Sequence, residues 1–153
     1  MDIKYVNAFI NGLIEIAGML GINDLTRTGL DKREKLKTEN DINVIIGLVG
    51  DIKGNVVLAM QENTALNIAS KMMGGMPVAE FDLMPKSALC ELFNMVSGRS
   101  VGELEKMGAI TNITPPTLIY GHNMISLISQ VETLVIQFST AEGLLELNIA
   151  TED

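Results

Sequence analysis

The segment SALCELFNMVSG, residues 87–98, carries a glutamate and an asparagine three positions apart. At about 100° per residue of an α-helix, Ser87, Glu91, Asn94 and Gly98 fall in one stripe about 60° wide. Small residues flank the polar pair, and an interior Gly costs about 1 kcal/mol of helix propensity relative to Ala. Such a stripe leaves room for another backbone or a bulky ligand to approach the pair.

The side chain of Asn94 offers one hydrogen-bond acceptor and two donors, and it exchanges no proton at neutral pH. It can hold a water molecule in line with a phosphorus atom while its NH₂ group stabilises developing charge, the positioning role used in phosphoryl transfer. Glu91 could act as a base or as an anchor for a partner's lysine, and we favour the anchor because it needs only a charge. A solvated helix face with an incidental asparagine is the alternative interpretation.

Outside this stripe, the sequence contains none of the common catalytic motifs. His122 is the only histidine and lies in a turn-like stretch, and Cys90 is the only cysteine, with no histidine predictably beside it. The glycine-rich MGGM at 73–76 lacks the Gly-Lys-Ser/Thr of a P-loop and predicts a helix end instead. No clustered ligands predict a metal site, so we expect no metal and no cofactor of the chain's own. A phosphoryl-transfer role would require a partner that brings the metal and the reacting group.

Composition predicts one domain over residues 1–153. The net charge of −8 argues against nucleic acid as a partner. The one basic cluster, between residues 32 and 37, is diluted by acidic residues and suggests a solvated loop or edge strand. The single cysteine excludes an internal disulfide and indicates a reducing, cytoplasmic setting. We expect no membrane span, because no apolar run approaches 18 residues.

Apolar residues at spacings of three and four predict three helices. They cover residues 2–20, 62–73 and about 82–106, with Asp82 as an N-cap and Gly108 as the end of the third helix. In the second helix the residues expected to face inward are Leu66, Ala69, Met72 and Met73. In the third, the apolar face opposite the polar stripe consists of Leu89, Leu92, Phe93 and Val96.

β-branched and alternating segments predict the strands. The segments INVIIGLVG and GNVVLAM form one predicted hairpin, and TLVIQFST with LLELNIA forms another. Shorter strands are expected near residues 109–114, 117–121 and from 124, whereas residues 23–41 predict a loop with at most one edge strand. The order of helix, strands, helices and strands indicates an α+β fold, an antiparallel sheet with long helices packed on one face.

The polar stripe also resembles a known family motif. Ser87, three residues, Glu91, two residues and Asn94 are followed 22 residues later by Pro116, with Pro115 as the neighbouring candidate. The segment ENTALNIASKMMGGM is typical of the same family. The chain is thus similar, over nearly its whole length, to the CheC/CheX/FliY phosphatases of bacterial chemotaxis, and within them most similar to the CheX branch.

The resemblance implies an enzyme that removes the phosphoryl group from the phospho-aspartate of a CheY-like response regulator receiver domain. It implies that Asn94 positions the attacking water and that Glu91 pairs with the receiver's active-site lysine. Ser87, Gly98 and Pro116 would contact the partner, and Mg²⁺ would belong to the receiver.

The resemblance also implies a homodimer with sheets joined across the two subunits. The first helix has Glu15 followed by Gly18 where a second asparagine would stand. One site per chain is therefore expected.

A competing hypothesis is a non-catalytic receiver-binding module, because flagellar switch proteins resemble this fold and bind receivers without hydrolysing them. Both hypotheses require residues 91 and 94 to be accessible to a partner. A phosphatase additionally requires that the pair speed phosphate loss, so the two are separated by a phosphate-release assay.

Overall fold

The computed structural model describes residues 2–152, which contain three helices and nine strands. The helices are α1 (Ile3–Met19), α2 (Glu62–Met72) and α3 (Leu83–Lys106). The strands are β1 (Thr26–Arg33), β2 (Leu36–Thr38), β3 (Ile42–Gly50), β4 (Lys53–Met60), β5 (Thr111–Ile113), β6 (Thr117–Tyr120), β7 (Ser126–Ser129), β8 (Thr133–Thr140) and β9 (Gly143–Glu152).

Seven of the strands form one antiparallel sheet, in the order β1-β8-β9-β4-β3. Both β5 and β6 pair with the outer edge of β3, β5 near its end and β6 near its start. The predicted hairpins β3–β4 and β8–β9 are confirmed. Because β5 and β6 share one strand, their connection lies beside the middle of β3.

The three helices pack on one face of this sheet and share its apolar core. The inward row of β9 is Leu145, Leu147 and Ile149, as the alternation in the sequence predicts. The predicted α+β fold with helices on one face is confirmed. None of the helices within residues 2–152 combines the length and apolarity needed to cross a lipid bilayer.

A second, two-stranded sheet of β2 and β7 lies over part of the opposite face. Leu36 of β2 packs there with Val57 and Ala150 of the large sheet. The prediction for residues 23–41 was wrong, because this segment forms β1 and β2 instead of a loop with at most one strand. β1 escaped detection because most of its residues are exposed on both faces, so its sequence carries no apolar alternation.

The ends of α1 and α3 agree with the prediction. The Asp2 side chain accepts a hydrogen bond from the Lys4 backbone N–H at 2.9 Å. Gly21 and Gly108 follow the two helices with φ of +86° and +90°, a conformation that glycine adopts without steric cost. Asp82 occupies the N-cap position of α3 without a side-chain capping bond.

The inward face predicted for α2 is partly wrong. Ala69 is buried, but Leu66, Met72 and Met73 are only half-buried. The buried row instead runs through Thr64, Ala65, Ile68 and Ala69. Small side chains let α2 approach the layer beneath it, so the larger residues lie at the margin of the contact.

α1 and α3 cross closely at Gly12, which holds α3 in place. A Cβ atom at Gly12 would lie 3.0 Å from the Val96 carbonyl oxygen and would clash with the Ser100 hydroxyl. Further along, the Arg99 guanidinium donates a hydrogen bond from Nε to Glu15 Oε2 at 2.9 Å. The helix that carries the polar stripe is therefore fixed by backbone proximity as well as by its apolar face.

Candidate functional site

The buried side of α3 determines where its polar stripe points. Leu89, Phe93 and Val96 are fully buried and Leu92 nearly so, which confirms the predicted apolar face. On the other side Glu91 is exposed and Asn94 is half-buried. The pair is therefore accessible from solvent, as both functional hypotheses require.

Four of the five predicted site residues lie together. Ser87, Glu91, Asn94 and Pro116 line one open depression of about 390 Å³ on the surface of α3. The lining includes Pro116 and not the neighbouring Pro115. Gly98 is exposed one turn beyond Asn94 and lies outside the depression.

Gly98 leaves open space on that turn of α3. A Cβ atom at Gly98 would meet no other heavy atom within 4 Å. Its lack of a side chain therefore serves no packing within the residues that the structure describes. The absence of a side chain at Gly98 leaves the helix surface beside Asn94 without a protruding group.

A hydrogen-bonded pair holds the proline segment next to α3. The Gly47 N–H donates to Thr114 Oγ1 at 2.8 Å, and the Thr114 N–H donates to the Gly47 carbonyl at 3.0 Å. A Cβ atom at Gly47 would lie only 3.0 Å from the Thr114 methyl group, so glycine permits this contact. The bonds fix the β5–β6 connection on β3, and Pro116 follows two residues later. No local sequence pattern marks this pair, because its two residues are 67 positions apart.

The charge of Glu91 is left available to a partner. The two cations closest to it in the sequence are Lys86 and Arg99, and each contacts a group other than Glu91. Arg99 pairs with Glu15 of α1, and the Lys86 ammonium lies 5.3 Å from the centre of the Tyr120 ring. An exposed carboxylate without an internal cation suits an anchor for a positively charged group.

Three further lining residues were not predicted for the site: Leu83, Lys86 and Cys90. Their signal was in the sequence, because Lys86, Cys90 and Asn94 repeat at intervals of four, as do Leu83, Ser87 and Glu91. The predicted stripe begins at Ser87 and so leaves out the first turn of the helix and the neighbouring row that contains Cys90. Among its described lining residues, the depression thus contains one cation, Lys86, and one anion, Glu91.

Cys90 lines the depression as a half-buried residue. Burial raises the pKa of its thiol. A thiol with a raised pKa is mostly protonated at neutral pH, and the thiol is a much poorer nucleophile than the thiolate. The environment of Cys90 therefore suits packing and not covalent catalysis.

His122 lies outside the depression, in the bend between β6 and β7. Its Nε2 is 3.3 Å from the Tyr120 hydroxyl, and its two ring nitrogens lie 3.6 Å from Asp41 and 3.5 Å from Glu62. A hydrogen bond from the Tyr120 hydroxyl to Glu62 raises the pKa of that tyrosine.

Within residues 2–152, no group of three or more His, Cys, Asp and Glu side chains could hold a metal ion.

The equivalent positions of α1 do not repeat the site. Glu15 is bound to Arg99, and Gly18 offers no carboxamide. Within the described residues the Glu/Asn pair thus occurs on α3 and not on α1.

Comparison with known proteins decides the family. Residues 42–139, from β3 through almost all of β8, match the family model described as chemotaxis phosphatase CheX. The chain belongs to the chemotaxis phosphatase CheX family. The matched range includes all of α3 and the proline segment, so every candidate site residue lies inside the CheX match.

A curated relative and two solved structures show how far the CheX likeness extends. The CheY-P phosphatase CheX of Thermotoga maritima is 35% identical over 126 residues, which are 81% of this chain and 80% of the relative. A CheX-CheY-BeF3-Mg+2 complex from Borrelia burgdorferi is 29% identical with a TM-score of 0.82, covering 97% of this chain and 98% of that one. A CheC-like superfamily protein from Shewanella has a TM-score of 0.90 over the full length of both chains, and its 23% identity shows the fold alone.

Proposed function

We propose that this CheX-family chain is a phosphatase that hydrolyses the phospho-aspartate of a CheY-like receiver domain. The observation that carries the proposal is the accessible Glu91/Asn94 pair on a rigid helix, in the same depression as Pro116. The Thermotoga relative, named as a CheY-P phosphatase, supports the reaction, and the Borrelia complex of CheX with CheY supports the partner.

In the proposed mechanism α3 docks against the receiver so that the Asn94 carboxamide enters the acyl-phosphate pocket. The amide oxygen accepts a hydrogen bond from a water molecule, and the NH₂ group donates to the oxygen atoms on which charge develops. The water attacks phosphorus and its proton passes to the phosphate oxygens. The bond between phosphorus and the aspartyl oxygen breaks, which regenerates the receiver's aspartate carboxylate and releases inorganic phosphate. Mg²⁺ is part of the receiver's own site, and this chain contributes the positioning of water and the hydrogen bonds to developing charge.

Glu91 acts as the anchor in this proposal. Its exposed carboxylate, which has no ion-pair partner among the described residues, pairs with the receiver's active-site lysine. This ion pair sets the angle at which α3 approaches the receiver. It therefore fixes how far the Asn94 carboxamide enters the acyl-phosphate pocket. Ser87, Gly98 and Pro116 form the low surface that lets the two proteins come close.

The direct test is phosphate release from a purified CheY-like receiver kept phosphorylated with acetyl phosphate and Mg²⁺. A substoichiometric amount of this chain should raise the rate of release above the receiver's own rate through many turnovers. Binding to the beryllofluoride-loaded receiver without any acceleration would instead favour the non-catalytic module related to flagellar switch proteins.

We also propose a homodimer that acts in the cytoplasm. Within residues 2–152 neither β2 nor β7 has a second neighbouring strand, and Ile125 and Leu127 beside this edge are exposed. An unpaired edge with exposed apolar residues suits pairing with a second copy. Sedimentation equilibrium should give twice the chain mass, and Leu127→Lys should shift it toward a single chain.

A further inference from the structure

Among the described residues that line the depression, Lys86 is the one cation. It stands in the first turns of α3, eight residues before Asn94, which corresponds to about 12 Å along the helix axis. Lys86 therefore belongs to the surface that the partner covers in the proposed complex, about two turns of helix away from the residue that acts on the water.

The Tyr120 ring positions this lysine. The Lys86 ammonium lies 5.3 Å from the ring centre, within the range of a cation–π interaction. Tyr120 is itself held on two sides, by edge-to-face packing on Phe81 at 5.0 Å and by the hydrogen bond from its hydroxyl to Glu62. Its strand pairs with β3, so the ring is fixed to the large sheet.

The positive charge of Lys86 is opposite in sign to the net charge of the chain. The chain has a net charge of −8, whereas a phosphorylated receiver site combines an anionic phosphoryl group with the carboxylates that hold Mg²⁺. Two acidic surfaces repel one another, and a cation at their contact reduces that repulsion during encounter. The charge of a lysine in an internal ion pair is offset by its carboxylate partner, so such a lysine would reduce the repulsion less. A lysine held over a neutral aromatic ring has no such offset.

We propose that Lys86, held by Tyr120, is a recognition residue that contacts acidic groups around the phospho-aspartate site of the receiver. This inference rests on the proposed function and names how the same surface selects its partner. Lys86 acts on association, and Asn94 acts on the chemical step. Tyr120 is a positioning residue, because it acts through Lys86.

The test compares Lys86→Met with Lys106→Met. Both remove one positive charge from α3, but Lys106 lies at its far end and is 76% exposed. Stopped-flow association with a beryllofluoride-loaded CheY-like receiver should be about three- to tenfold slower for Lys86→Met, and its dependence on salt concentration should be weaker. KM should rise by a similar factor while kcat stays within about twofold, and Lys106→Met and Lys86→Arg should resemble the unmodified protein.

Tyr120→Leu provides the second variant, analysed with Lys86→Met as a double-mutant cycle. The tyrosine change should slow association in the unmodified background and add little once Lys86 is methionine. Equal effects in both backgrounds would overturn the positioning role of Tyr120. Unchanged association and salt dependence in Lys86→Met, alongside normal catalysis by the unmodified protein, would overturn this inference alone. Failure of the unmodified protein to accelerate phosphate release would contradict the proposed function itself.

Discussion

Asn94 of α3 and Pro116 of the β5–β6 connection line the same open depression, although they are 22 positions apart in the chain with a strand between them. The apolar face of α3 directs Asn94 outward, and the Gly47–Thr114 hydrogen bonds bring the proline segment beside it. The depression is therefore walled by α3 on one side and by a connection that is hydrogen-bonded to β3 on the other. This geometry leads to separate predictions for binding, stability and chemistry.

Glu91 is expected to contribute to binding through its charge. Glu91→Gln keeps the size of the side chain and removes the charge, so KM for the phosphorylated receiver should rise roughly tenfold. kcat should fall much less, because Glu91 contacts the receiver and not the water. Steady-state phosphate release at varied receiver concentration gives both constants. The matched control is Glu105→Gln on an exposed position of the same helix, and a Glu91→Gln protein with unchanged KM would contradict the anchor role.

Gly98 is expected to matter to the partner and not to the fold. A side chain there meets open space, so Gly98→Leu should leave the melting temperature unchanged or raise it, since leucine favours helix over glycine. The added bulk should obstruct docking and raise KM about three- to tenfold. Gly102→Leu, one turn further on at another exposed position with open space around it, is the control. Equal effects of the two substitutions on KM would argue against a contact at Gly98.

Gly12 and Gly102 should respond oppositely to alanine, although both lie inside helices. Gly12→Ala forces α1 away from Val96 and Ser100 of α3, which should cost about 1–3 kcal/mol of unfolding free energy. Gly102→Ala meets no neighbour and should gain up to about 1 kcal/mol. Urea denaturation midpoints measure both. A Gly12→Ala protein as stable as the parent would show that the close helix crossing is not required.

Cys90 should be dispensable for catalysis. Since burial raises the pKa of its thiol, the thiolate forms at a higher pH than in a free cysteine, and iodoacetamide should modify the folded protein only at correspondingly higher pH. The same residue should react at ordinary pH once the chain is unfolded in urea. Cys90→Ala should keep kcat/KM within about twofold. A large loss of turnover in Cys90→Ala with normal folding would point to a cysteine nucleophile.

The sequence allowed the helices, the two long hairpins and the accessible polar stripe to be predicted, because each has its own local periodicity. The buried face of α3 is an example, since Leu89, Leu92, Phe93 and Val96 repeat at helical spacing. β1 could not be found in this way, because an exposed edge strand has no buried row to mark it. The placement of Pro116 depends on Gly47 and Thr114, whose contact is created by the sheet and leaves no local pattern.

The most direct measurement is the single-turnover rate of phosphate loss from a receiver saturated with Asn94→Ala protein, compared with the unmodified chain. Asn94 is half-buried at the surface of α3, so the substitution should leave the fold intact, which circular dichroism can verify. Loss of one preorganised hydrogen-bonding group in the transition state should slow the reaction about 10²–10³-fold, with binding of the beryllofluoride-loaded receiver nearly unchanged. A rate equal to that of the unmodified protein would contradict the central role given to the asparagine carboxamide.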